Sequence, residues 1–186
     1  TSPGIFDVLV LLGKEESLLR IDAQAASPDS SPRMPACAVS ISPGADAVGD
    51  TPSRQANAAS DAMLTPRMIK MATDLYLAGH DPRDPYVSPI YGDFRGLPPL
   101  MLTVSESEAL RDDAYRVAHR ARQAGVAVTL RARWNMPHVW PVFHSMLPEA
   151  RQDVTEIVGF MRRHLSAPVA CTRAVARTKL RLAHSG

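Results

Sequence analysis

Glu106 and Glu108 in SESE (105–108) and His138 in NMPH (135–138) are the residues whose type and placement suit proton-transfer chemistry. SESE follows a short apolar run and NMPH an alternating one, so each should lie on a loop just past the carboxyl end of a strand. Neighbouring parallel strands run about 5 Å apart, which brings a carboxylate and an imidazole on two such loops within hydrogen-bonding range. That is the acid–histidine half of a hydrolase triad, in the chain order acid then histidine. The carboxylate would fix the imidazole tautomer and stabilise the imidazolium that forms. Blander roles compete: a carboxylate at a helix N-terminus is commonly a capping charge, and a loop histidine is often a packing residue. Ligands of open parallel sheets bind beyond the carboxyl ends of the strands, and two consecutive ends carrying such groups favour the chemical reading. Of the other histidines, His119 and His164 fall on expected helices, His80 and His144 in connections, and His184 in the tail. None stands at metal-ligand spacing from Cys, His, Asp or Glu, so no metal site is expected.

The elements that must position these residues are visible in the patterning. PPLMLTV (98–104) has the profile of a buried strand. Residues 109–124 predict an amphipathic helix with Leu110, Ala114, Val117, Ala118 and Ala121 on one face. Asp112 and Asp113 occupy its first turn, Arg120 and Arg122 its last, and Gly125 ends it, in agreement with the helix dipole. Alternating Val126, Val128 and Leu130 predict a strand over 126–133, which completes a βαβ unit with parallel strands and a right-handed crossover. A final helix runs from Pro148 to His164, with Val154, Ile157, Val158, Met161 and Leu165 inward. Strand–helix alternation of this kind means an α/β fold.

Upstream, residues 24–60 are rich in Ala, Ser, Pro, Asp and Gly, which predicts loops around at most one strand, ACAVSIS (36–42), ended by Pro43-Gly44. LTPRMIKMATDLYLAG starts a helix at Thr65 as N-cap and Pro66 as first helical residue, stops it at Gly79, and carries an apolar stripe of Met68, Ala72, Leu75 and Tyr76. HDPRDPYVSP (80–89) is too proline-rich for regular structure and reads as an extended, rigid connection.

Composition bounds the rest. A chain of 186 residues, 45% apolar and 22% charged, suits one soluble domain with a substantial core. The net charge of +2 gives no global field for nucleic acid. The excess lies partly in a tail where Arg173, Arg177, Lys179 and Arg181 meet no acidic residue after Glu156. Cys37 and Cys171 belong to no CxxC or Cys/His spacing, so a reducing compartment, the cytoplasm, is the expected location. Ile5–Leu12 is too short to span a bilayer, is interrupted by Asp7 and lacks a basic flank. A first residue of Thr rather than Met suggests a fragment or a processed product.

From Pro35 to Leu165 the chain resembles the C-terminal half of an α/β-hydrolase of the hormone-sensitive-lipase-like esterase group. The resemblance is carried by DPRDPYVSPIYGD, GLPPLMLTV, EALRDDA and MPHVW. In that family the triad acid heads a D/E-x-L-x-D-D/E motif, here Glu108-Ala109-Leu110-Arg111-Asp112-Asp113, which makes Glu108 the acid and Asp112 and Asp113 capping charges. The family's catalytic histidine falls on His138 of MPHVW. The resemblance implies hydrolysis of short- to medium-chain carboxylic esters through an acyl-enzyme, with a small-molecule ester as partner and no cofactor. It also implies acyl-pocket roles for Met63, Leu64, Tyr76 or Tyr86, and a homodimer through strand 126–133, whose polar alternation (Thr129, Arg131, Arg133) suits an exposed edge.

The departures bear on both chemistry and fold. A working enzyme of this kind needs a G-x-S-x-G nucleophile elbow and an HGG-type oxyanion loop, and this sequence contains no G-x-S-x-G, no His-Gly pair and no Gly-Gly pair. Ser2 in Thr1-Ser2-Pro3-Gly4 is the nearest remnant, but Pro3 has no N–H to donate to an oxyanion. Ser17, Ser40 and Ser42 lack the elbow's glycines. The chain alone is therefore expected to be inactive. The expected organisation is a loop-rich segment over 1–34, a partial α/β-hydrolase domain over 35–165, and a basic, disordered tail over 166–186. About three parallel strands with flanking helices should form, the family's first strands falling before residue 1. That half-sheet would leave an edge open, so the chain alone is expected to be poorly folded or self-associating. Two other functions stay open: a catalytically inactive, hydrolase-like binding or scaffold protein, and salt-sensitive nucleic-acid binding through the tail.

Overall fold

A computed structural model of the chain describes residues 34–165. Ile5–Leu12, Cys171 and the basic tail lie outside the described residues. Three strands, β1 (Ala38–Ile41), β2 (Leu100–Ser105) and β3 (Val128–Arg133), form one parallel sheet in that order. Ala38 pairs with Leu100 and Leu100 with Val128, so all three strands run level toward the same end. Parallel neighbours need crossovers. Between β1 and β2 lie α1 (Pro52–Ala56), α2 (Pro66–Leu77) and a 3-10 turn at Pro89–Tyr91; between β2 and β3 lies α3 (Arg111–Gln123). After β3 come a 3-10 turn at Trp140–Phe143 and α4 (Pro148–Leu165).

Helices cover both faces of the sheet, and β2 at its centre is buried from Met101 to Ser105, which explains its uninterrupted apolar run. On one face Leu102 packs with Ile90, Phe94, Val117, Ala118, Ala121 and Val126. On the other, Val39 and Met101 pack with Ile157 and Phe160 of α4. The predicted stripe of α3 is buried in full, and its alanines let the helix approach the sheet closely. Gly125 takes φ +82, the left-handed conformation that ends the helix, and Val126 N–H closes onto Ala121 O at 2.9 Å. β3 accordingly begins at Val128 rather than Val126.

Other expectations shift. α2 has the predicted cap, with Thr65 Oγ1 accepting Met68 N–H at 3.2 Å, but it buries no residue, and Met68, Leu75 and Tyr76 are exposed. Its amphipathic pattern creates a face without supplying a partner for it. In α4, Leu165 is exposed and Phe160 takes the inward place. Residues 24–60 hold a short helix, α1, in addition to the strand, and the proline-rich connection is a series of turns that ends in the Pro89–Tyr91 turn.

Candidate active site

The register sets Ser105, the last residue of β2, beside Arg133, the last of β3. Glu106 N–H continues the ladder by donating to Arg133 O at 2.7 Å. The chain then turns tightly: Ser107 N–H donates to Ser105 Oγ at 3.2 Å and Glu108 N–H to Ser105 O at 3.2 Å. This turn folds the Glu108 side chain back over the strand end, where only 1% of the residue is exposed. A buried carboxyl is costly unless its oxygens are hydrogen-bonded, and both are. Oε1 accepts Ser105 N–H at 3.0 Å, and Oε2 lies 2.9 Å from His138 Nδ1. The structure thus brings together the two residues singled out from the sequence. Glu106 points elsewhere, and its Oε1 accepts the hydroxyl of Tyr115. That bond, helped by burial, pushes the Tyr115 phenol up to about 12.

The histidine loop is held at several points. Asn135 takes φ 57 and its N–H donates to Ser107 Oγ at 3.1 Å, tying this loop to the acid's turn. Val139 takes φ 52 and ψ 33, and its N–H donates to Ser42 Oγ at 3.1 Å. Trp140 is fully buried, and its indole N–H donates to Asp153 Oδ2 of α4 at 2.8 Å. Asp153 also accepts from Arg131 Nε at 2.8 Å and from Arg133 Nε. Burial opposes the charge on Asp153, but the bonds from Arg133, Trp140 and Arg131 outweigh it and hold the carboxyl below the usual carboxylate range.

A polar cradle that the sequence reading missed supports the acid's turn. Asn57 Nδ2 donates to Glu106 O and Glu108 O, each at 2.9 Å. Asp61 Oδ2 accepts Ala109 N–H at 2.8 Å, and the hydroxyls of Ser53 and Ser60 donate to Ala109 O and Ser107 O at 2.8 and 3.0 Å. The helical spacing of Ser53, Asn57 and Ser60-Asp61 was the available signal, hidden in a stretch whose composition reads as loop. Asp112 and Asp113 stand in the first turn of α3 but reach beyond capping. Asp112 Oδ2 accepts Ser53 N–H at 2.8 Å. Asp113 Oδ2 accepts Ala45 N–H at 2.9 Å and pairs with Arg54 at 3.0 Å. Burial nevertheless pushes the Asp113 carboxyl up.

The remaining candidates separate. Ser2 and Ser17 lie outside the described residues. Ser40 is on β1, and Ser42 follows it with its hydroxyl engaged by Val139. Among the described residues, His138 has its side-chain hydrogen bond with Glu108 and none with a serine. Met63, Tyr76 and Tyr86 are exposed and Leu64 is half-buried. Among the described residues no three His, Cys, Asp or Glu side chains gather as metal ligands, and no helix is long and apolar enough to cross a membrane.

Comparison with known proteins places these observations in a wider set. The sequence model of a family described as the alpha/beta hydrolase fold matches residues 16–142, beginning upstream of the Pro35 at which the motif resemblance starts. An acetyl-hydrolase of Streptomyces hygroscopicus is 38% identical over 144 residues, covering 77% of this chain and 48% of its own. An esterase of Acinetobacter venetianus is 33% identical over 128 residues, covering 68% of this chain and 42% of its own. Among solved structures, EstE5 superposes with a TM-score of 0.71 at 37% identity, covering 81% of this chain and 49% of that one. An esterase from the bacterial hormone-sensitive lipase family does so with a TM-score of 0.71 at 37% identity, covering 73% and 46%. The chain spans about half the length of the curated relatives it matches.

Proposed function

We propose, from the premise that this chain belongs to the alpha/beta hydrolase family and to its hormone-sensitive-lipase-like group, that Glu108 and His138 are the acid and base of a Ser-His-acid triad for carboxylic ester hydrolysis. The observation that carries this reading is the 2.9 Å contact between Glu108 Oε2 and His138 Nδ1 at adjacent parallel strand ends. With the Nδ1 proton donated to Glu108, Nε2 keeps its lone pair and acts as base. It takes the serine hydroxyl proton as the oxygen attacks the ester carbonyl, then returns that proton to the leaving alkoxide as the acyl-enzyme forms. Water repeats the cycle: His138 deprotonates it, the carboxylate product leaves, and serine recovers its proton.

The 186-residue sequence has neither G-x-S-x-G nor a His-Gly pair, so the serine and the oxyanion donors are not supplied by motifs in it. By itself the chain is proposed to be inactive. Met63, Tyr76 or Tyr86, all exposed, or half-buried Leu64 is proposed to line the acyl pocket. The outer edge of β3 is the proposed dimer contact, since β3 pairs only with β2 among the described strands.

The test has two parts. The chain alone should not hydrolyse p-nitrophenyl acetate or butyrate. A chimaera joining residues 35–165 to the half of EstE5 that this chain does not cover should hydrolyse them, and His138→Ala in that chimaera should abolish turnover. Turnover that survives His138→Ala would sink the assignment.

A further inference from the structure

We propose that the Ser42 hydroxyl is a positioning group for His138, an inference that rests on the triad reading above. Val139 follows His138 directly and sits at φ 52, ψ 33. This left-handed region is one that β-branched side chains avoid. Such a conformation persists only where its surroundings enforce it, and clusters of this kind mark functional sites. Here the enforcing group is identifiable. Ser42 lies just past β1, is 3% exposed, and its Oγ accepts Val139 N–H at 3.1 Å. Its own N–H donates to Thr103 O at 2.8 Å, which continues the β1–β2 ladder past Ile41 and fixes where the hydroxyl stands.

The rest of the loop cannot absorb a change at Val139. Asn135 on one side is tied to Ser107, and Trp140 on the other is anchored to Asp153 within the buried layer under α4. If the Ser42 acceptor is removed, Val139 relaxes toward ordinary backbone angles. The rotation then falls on the peptide that carries His138 and swings the ring away from Glu108 Oε2. Three strands thus share one site: β2 supplies the acid, β3 the histidine, and β1 the lock that aims it. A nucleophilic role for Ser42 is a poor alternative, because the following residue, Pro43, has no N–H for an oxyanion.

The readout is the low-field proton resonance of the hydrogen-bonded His138 Nδ1–H in the 186-residue chain, assigned by its loss in His138→Gln, with thermal unfolding followed in parallel. Ser42→Ala should lose most of this resonance while the cooperative transition remains. Adding Val139→Gly should restore it, because glycine takes the left-handed conformation without a lock. A resonance unchanged in Ser42→Ala overturns the inference and leaves the triad reading intact. A loss that Val139→Gly does not restore also overturns it, since ordinary packing would then account for the effect. A folded wild-type chain without the resonance overturns the Glu108–His138 pairing and the proposed function with it.

Discussion

Trp140 and Asp153 are joined by an indole N–H that donates to a fully buried carboxylate at 2.8 Å, which ties the residue two beyond His138 to the inner face of α4. Asp153 takes Arg131 and Arg133 of β3 as well, so one side chain joins helix, strand and histidine loop.

Asp153→Ala leaves the buried indole without an acceptor and takes one partner from each of two partly buried guanidinium groups, Arg131 keeping Glu156 and Arg133 keeping Gln152. Breaking such a network should cost roughly 2–4 kcal/mol, less than for a fully buried pair because the arginines reach solvent. Asp153→Asn keeps an acceptor for Trp140 and should cost less. Urea unfolding of the two variants checks the order; equal losses would mean that the indole bond contributes little.

Asp153 also sets a pH dependence. Its carboxyl titrates below the ordinary range in the folded chain, so its stabilisation is complete above about pH 4 and disappears as pH falls through the depressed value. Asp113, pushed up by burial, has the opposite sign: its contribution is complete below about pH 4 and disappears as pH rises through the raised value. The stability lost between pH 6 and pH 3, from urea midpoints, should be smaller in Asp153→Asn than in wild type and larger in Asp113→Asn.

Tyr115 provides a spectroscopic check on the acid's turn. Donating its hydroxyl to Glu106 moves its titration up to about 12, against about 10 for a free phenol. A raised value favours the folded chain below the free phenol's pKa and is lost as pH climbs through the folded one. Tyrosinate absorbance should show the late titration of Tyr115, and Glu106→Gln should return it toward the ordinary value.

Asn57 bridges two carbonyls of the same turn. Asn57→Ala takes this donor from Glu106 O and leaves Glu108 O with Arg111 N–H alone, which should lower stability by about 1–3 kcal/mol and broaden the His138 Nδ1–H resonance. Loss of stability with an unchanged resonance would show that the cradle supports the fold without holding the acid.

The outer edges of β1 and β3 have no strand partner among the described residues. Unpaired edges template association, so light scattering at micromolar concentration should find dimers or larger species. A monodisperse monomer with a cooperative melt would count against this.

The elements around the site were legible because their signals are local. The stripe Ala114, Val117, Ala118 and Ala121 follows the helical period and is buried as a unit. Thr65 and Gly125 announce a start and a stop through backbone preferences that act within a few residues. The strand end at Ser105 follows from an apolar run giving way to a polar one, and that at Arg133 from the end of an alternating run, and this sufficed to put Glu108 and His138 on neighbouring loops. α2 marks the limit of such inference. Its period revealed an apolar face, but whether that face is covered depends on other elements, and it is exposed.

By itself, then, the sequence determined the parallel β-α-β order and the pair of groups able to exchange a proton, because periodicity, caps and strand ends are properties of short stretches of chain. Only the tertiary structure decided how that carboxylate reaches the imidazole and what holds the meeting in place. A tight turn buries Glu108 against His138 and leaves Glu106 to Tyr115. The supports, Ser42 to Val139 and Asn57 to the acid's turn, join residues 97 and 51 positions apart. No local pattern records such bonds, since donor and acceptor become neighbours only when the three strands align and the crossovers close over them.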